Sequence, residues 1–292
     1  MATPVNGPIS MFDVQSTFGL GYNLNAYRGQ VWYTPNSLQS GTFPSGQISL
    51  ADFYNKTNVN PAPPSPTPIL YSAAGTYTFV VPLFRNSFSV EVWGAGGGGG
   101  SLSTCLNYGT TGGTSSFSSV DVLYATGGTG GQSAQRVSGS YFGFGGNSAG
   151  AAGSGGTGVG GTTNLTGTNG VTSESGSTGG GSPNGGAATA PVVNTAPPNG
   201  NFVGGGGGGW SFPAGGDKFH SAAGGAGGGG YSSKTYSVGQ LPAGTVCQVV
   251  VGAGGINSTT TQPVRGKPCG GGTNPAYGGG VGANGGVRLN WT

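Results

Sequence analysis

The chain has 292 residues, of which 69 are glycine and 19 are proline, and only 5% are charged. Its formal net charge of +3 is spread over dispersed basic residues, too little for a nucleic-acid footprint. Glycine and proline at this level point toward disorder, yet disordered chains carry high charge and few aromatics, whereas here aromatics reach 10%.

Residues 1–57 are poor in glycine and contain an internal repeat. Gly7-Pro-Ile-Ser-Met-Phe-Asp-Val14 is echoed by Gly46-Gln-Ile-Ser-Leu-Ala-Asp-Phe53. In each copy a serine precedes an aspartate by three positions, which is a helix-start pattern akin to a capping box. The spacing predicts short helices over 11–18 and 50–54. The apolar residues Ile9, Phe12, Phe18, Ile48, Phe53 and Tyr54 are candidates for docking this module onto a partner, because so few apolar side chains make a marginal core. No apolar run approaches the roughly 20 residues that span a bilayer. The first residues have neither a basic start nor an apolar core, so neither a signal peptide nor membrane insertion is expected.

Residues 58–68 hold Pro61, Pro63, Pro64, Pro66 and Pro68, a composition that favours extended polyproline II and marks a semi-rigid linker. From residue 69 to 292 short apolar segments alternate with glycine tracts. The expected strands are 76–81 paired with 88–93, 115–122 with 123–126, and 231–238 with 245–251, with 286–291 as an edge or closing strand. The fold class expected is mainly β, a β-sandwich-like domain with long glycine-rich loops. Residues 127–230 are too long for an ordinary loop in a compact domain. They form either irregular loops or polyglycine-II helices. In the latter, three residues make a turn and neighbouring chains satisfy one another's backbone groups without a side-chain core.

The stretch Gly7-Pro-Ile-Ser-Met-Phe-Asp-Val-Gln-Ser-Thr-Phe-Gly19, followed by Asn23-Leu-Asn-Ala-Tyr-Arg-Gly29, resembles a motif in virion proteins of tailed bacteriophages, those of cyanophages above all. The segments Gly75-Thr-Tyr-Thr-Phe-Val-Val-Pro82, Val90-Glu-Val-Trp-Gly-Ala-Gly-Gly97, Gly113-Thr-Ser-Ser-Phe117, Val249-Val-Val-Gly-Ala-Gly-Gly255 and Gly285-Gly-Val-Arg-Leu289 are similar to the glycine-rich domain of phage tail fibres and adhesins. The resemblance covers both ends of the chain and little of 129–230. It implies a virion component, made in the host cytoplasm and released on lysis. Its N-terminal module would meet other virion proteins, and its glycine-rich domain would meet a host receptor, a glycan or an outer-membrane protein.

Catalytic chemistry finds little support. His220 is the one histidine, so neither a zinc site nor a Ser-His-Asp arrangement is indicated. The carboxylates Asp13, Asp52, Glu91, Asp121, Glu174 and Asp217 are dispersed, with no calcium-loop or glycosidase pair. Glycine-rich matches to phosphate-binding patterns open no amphipathic helix. No cofactor and no metal is expected. Cys105, Cys247 and Cys269 have no metal-knuckle spacing and read as small apolar residues. Two aromatic clusters within the glycine-rich part, Tyr141, Phe142 and Phe144, and Trp210, Phe212, Phe219 and His220, form either a recognition surface or plugs for a core short of apolar side chains. The expected function is non-enzymatic: a tail-fibre or adhesin component, as a homo-oligomer such as a trimer. The alternative is a non-adhesive head fibre, decoration or collar element.

Overall fold

A computed structural model describes the chain except residues 1, 36–38, 59–67, 85, 104–107, 136–148, 174–176, 187–197, 210, 213–220 and 259–277. The N-terminal part opens with helix α1 (Met11–Phe18), a 3-10 turn (Leu24–Tyr27), the hairpin β1 (Val31–Tyr33) with β2 (Ser40–Thr42), and a second 3-10 turn (Leu50–Phe53). Both expected helix starts are present. Ser10 N–H donates to the Asp13 carboxylate at 2.8 Å while Asp13 N–H donates to Ser10 Oγ at 3.3 Å. In the second copy Ser49 N–H donates to the Asp52 carboxylate at 2.7 Å. Gly19 ends α1 at a φ of 77°, a left-handed cap that a side chain would disfavour. Val14, Phe18, Tyr27, Phe43, Ile48 and Phe53 are buried together, with Phe18 edge-on to Phe43 and Phe53 at centroid distances of 5.3 and 5.7 Å. The two ends of this part are tied. Thr3 N–H donates to the Lys56 carbonyl at 3.0 Å, and Lys56 N–H returns to Thr3 Oγ1 at 2.9 Å.

The remaining strands are β3 (Ile69–Tyr71), β4 (Gly75–Val80), β5 (Ser87–Trp93), β6 (Leu102–Ser103), β7 (Ser115–Ser118), β8 (Val122–Ala125), β9 (Ala134–Gln135), β10 (Gly158–Val159), β11 (Thr163–Leu165), β12 (Ser211–Phe212), β13 (Ser221–Ala222), β14 (Tyr231–Ser237), β15 (Val246–Val251) and β16 (Gly286–Trp291). Ten of them form a β-sandwich of two five-stranded sheets, β10-β8-β7-β15-β4 and β11-β14-β5-β16-β3. Alternation sets the facing. Phe88, Val90 and Val92 of β5 point inward, as do Phe79 of β4, Phe117 of β7, Val249 of β15 and Leu289 of β16. Each such buried side chain contributes about 1.5–3 kcal/mol of transfer free energy. Phe88 stacks on Trp291 with centroids 5.7 Å apart and planes 14° from parallel.

The pairing of β7 with β8 is as expected, but two other expected pairs are not formed. β4 and β5 lie in opposite sheets, β4 beside β15 and β5 between β14 and β16; β14 and β15 are likewise in opposite sheets. The physical reason sits in the connections. Phe84 between β4 and β5, and Leu241 between β14 and β15, are buried in the sandwich core, so each connection arches across the sandwich end to plug it. Nor is β16 an edge. It is hydrogen-bonded to β5 on one side and β3 on the other.

Beyond the sandwich the strands continue as glycine helices. Along 94–100, residues 94, 97 and 100 donate to 230, 227 and 224; residues 95 and 98 donate to 113 and 110; residues 96 and 99 donate to 283 and 280, all at 2.8–3.0 Å. The carbonyls of the same segment accept in the same rhythm: Ala95 and Gly98 from Gly128 and Gly131, Gly96 and Gly99 from Gly255 and Ser258, and Gly97 from Gly207. Successive residues thus address different neighbours and every third addresses the same one, which is the signature of a three-residue-per-turn helix packed among six others. Segment 224–230 is a second such centre. It donates to 126–132, 168–171 and 204–207, and accepts from 94–100, 150–156 and Gly180. Of the two alternatives open for 127–230, the described stretches 127–132, 150–156, 204–209 and 224–230 adopt glycine helices of the polyglycine-II kind.

Glycine is required there by close approach. A Cβ on Gly97 would collide with the Thr129 carbonyl and one on Gly227 with the Ser154 carbonyl, closer than the 3.0 Å that real Cβ atoms respect. In the sandwich, side chains hold facing sheets about 10 Å apart. Past Trp93, segment 94–100 carries no side chain larger than the methyl of Ala95. Segment 94–100, continuing one sheet, then bonds directly to 109–113 and 252–258, which continue the other.

Candidate interaction site

The bundle has a rim, and the rim solves a bookkeeping problem. An outer helix lacks neighbours on one side, so some of its backbone groups need other partners. Side-chain oxygens supply them in a repeated unit. Thr129 N–H donates to the Ser154 carbonyl at 2.9 Å, and Ser154 N–H returns to Thr129 Oγ1 at 2.6 Å. Thr126 does the same with Thr157, Gln132 with Ala151, Thr168 with Gly181, and Thr110 with Ile256. Thr126, Thr129 and Gln132 recur every third residue, the helix period, so they line one edge. That spacing was present in the sequence and is the signal by which these residues could have been found.

The bundle fixes where the chain enters its far end. β6 pairs in parallel with β9, and β12 pairs with β13, at the ends of 94–100, 126–132, 204–209 and 224–230 remote from the sandwich. Described residues on either side of 104–107, 136–148 and 213–220 therefore stand together at that end. Of the candidate receptor-binding residues, Tyr141, Phe142, Phe144, Trp210, Phe219 and His220 lie outside the described residues. The backbone of Phe212 lies in β12, opposite Ser221. Cys105 and Cys269 lie outside the described residues as well.

Among the docking candidates the structure separates core from surface. Phe18, Ile48 and Phe53 are buried in the N-terminal core, and Ile9 packs against it. Tyr54 is half-buried and its hydroxyl donates to the Gly7 carbonyl at 2.5 Å. Phe12 alone of the six projects outward, with 65% of its surface exposed. Its counterpart in the second repeat is Ala51, which shows that the repeated helix start does not need an aromatic there. Val14, Tyr27 and Phe43, not singled out by the sequence, belong to the same core.

Two ion pairs tie strands and sheets of the sandwich. Glu91 accepts from the Tyr231 hydroxyl at 2.8 Å and pairs with Arg288 directly across the strands. Trp93, Val203 and Tyr231 cluster on the outer face beside that pair, and the Trp93 ring N–H donates to the Pro183 carbonyl at 3.0 Å. Lys234 bridges the sheets to Asp121. Burial pushes the Tyr236 hydroxyl up to about 12, assisted by the nearby Asp121 charge; Ser119 Oγ stands beside it, but no hydrogen bond of good geometry joins them. Burial also pushes the Cys247 thiol up to about 11. Among the described residues no group of three or more His, Cys, Asp or Glu is placed to hold a metal ion, and no helix is long and apolar enough to cross a membrane.

No family model, curated protein or solved structure matches this chain.

Proposed function

We propose that the chain is a virion structural protein, a tail-fibre or adhesin component that attaches a phage to the host surface. The observation that carries this reading is the glycine-helix bundle. Its backbone groups bond each of two central helices to six neighbouring segments, so the framework holds its shape without a side-chain core. Described residues on either side of 136–148 and 213–220 stand at one end of that framework, and in the sequence the aromatic clusters 141–144 and 210–220 fall in or beside these stretches. Aromatic side chains among Gly, Ser and Asn supply contact area at low entropic cost. In this reading, residues 1–57 attach the chain to other virion proteins and 58–68 space the two parts.

The test is binding of the purified chain to host cells or envelope. Attachment should be lost in the triple variant Tyr141→Ala/Phe142→Ala/Phe144→Ala or in Trp210→Ala, with the melting temperature unchanged. A chain that is incorporated into particles and binds no host, or whose binding ignores both variants, would instead be a head fibre, decoration or collar element.

A further inference from the structure

Among the described residues, β4 is the long unpaired edge of the sandwich. The other sheet edges are short: β10 has two residues, β11 three and β3 three, while β4 runs for six. Val81 N–H donates to the Thr245 carbonyl at 3.0 Å, and the pairing continues as Phe79 with Cys247 and Tyr77 with Val249. By the alternation of an antiparallel ladder, the N–H and C=O groups of Thr76, Thr78 and Val80 point away from β15. The side chains of these three residues are exposed on the outer face of the sheet.

Natural proteins blunt such edges with lysine, proline, bulges or short length. Within Gly75–Val80 none of these is present. The outer face beside the edge is also uncharged. Val80 stands opposite Val246, Thr78 opposite Gln248, and Thr76 opposite Val250; beyond them come Ser118, Val122, Ser116 and Tyr124. Val80, Val246 and Val122 are exposed by 56, 66 and 57%. The opposite sheet is different, with Glu91 and Arg288 on its outer face.

We propose that β4 pairs with β4 of a second copy of this chain, antiparallel about a two-fold axis, joining two sheets into one. Charge argues for a copy of itself over an unlike partner. With the axis at Thr78, the middle one of the three outward-facing residues, Thr78 meets its own copy and Thr76 meets Val80, so a charge at the centre would oppose itself, and this edge carries none. A strand meant for a foreign partner would gain specificity from charge, and none is present. The proposal does not rest on host attachment: a monomer that binds cells would overturn it and leave the proposed function standing.

The experiment is sedimentation velocity of the full chain over a concentration series, with Thr78→Lys and, as control, Thr235→Lys on the opposite sheet. The wild type should dimerise, and Thr78→Lys should weaken the dimer by about tenfold or more, since the two new charges meet at close range. Thr235→Lys should leave it intact, and the far-ultraviolet spectra of all three should coincide. A monomeric wild type, an assembly indifferent to Thr78→Lys, or a trimer would each overturn the pairing.

Discussion

Gly227 and Ala226 are neighbours in one buried helix, yet their tolerances should be opposite. A methyl group on Gly227 meets the Ser154 carbonyl, a backbone atom that cannot rotate aside. Gly227→Ala is therefore expected to destabilise by about 3 kcal/mol or more, at the upper end for overpacking a close-packed interior. Ala226→Gly removes a methyl that already fits and should cost about 1 kcal/mol. Urea denaturation of the two variants checks the contrast, and equal losses would contradict it. At the rim, Thr129→Val keeps the shape and deletes the oxygen that accepts Ser154 N–H. The site is exposed, so water replaces much of the bond and the cost should be about 0.5–1.5 kcal/mol. The sharper readout is hydrogen exchange, which should speed up at Ser154 and not at Gly153, whose N–H is bonded to Gly225.

Helix α1 shows how a local pattern becomes an element. Ser10→Ala should lower stability by about 1 kcal/mol, the usual worth of an N-cap. The serine hydroxyl, the largest influence, and the Ser10 backbone N–H hold the Asp13 carboxyl below its usual range. A depressed pKa stabilises the fold above the ordinary carboxylate value, and the benefit disappears as pH falls through the lower folded value. Helical circular dichroism should accordingly hold to pH 4 and fall only below it, and Asp13→Asn should remove that acid step. The glycine helices obey a different logic, since no side chain within them favours the conformation. Their order comes from lateral bonds alone, each helix being marginal without its neighbours. Cutting one connection should thus loosen several helices together, visible as concerted loss of exchange protection across 94–100, 127–131 and 224–230.

For the molecule as a whole, the sandwich clamps the near ends of the glycine helices and offsets part of their ordering cost. Damage to its core should reach the bundle. Phe88→Ala, at the centre of the aromatic stack, should cost about 3–5 kcal/mol and should lower protection of the bundle amides as well. Alkali tests the same core. Tyr236 ionises near pH 12 in the fold but near 10 when unfolded. The unfolded chain loses its proton first, so stability falls as pH rises from 10 through 12. Tyr236→Phe should flatten that fall, and at neutral pH it should be nearly neutral or stabilising, because the hydroxyl it removes is buried without a partner. Cys247, its thiol raised by burial, should resist alkylation in the native protein and react on unfolding, as mass-spectrometric peptide mapping would show.

Local signals determined the elements. The Ser-x-x-Asp repeat set both helix starts, alternation in Phe88-Ser-Val-Glu-Val set the inward face of β5, and glycine after Trp93 and Val251 marked where side-chain packing stops. These were legible because caps, strand alternation and steric clearance each act within a few residues. Partnership was legible for β7 with β8 and not for the other expected pairs. Phe84 and Leu241 lie in connections that look like hairpin turns, and only the shape of a core open at its end draws them inward and sends consecutive strands to opposite sheets. The glycine tracts could have been loops or helices on sequence grounds, since their backbone groups are satisfied by residues about ten to two hundred positions away. That choice belongs to the tertiary structure, which brings the six neighbours of 94–100 into bonding distance at once.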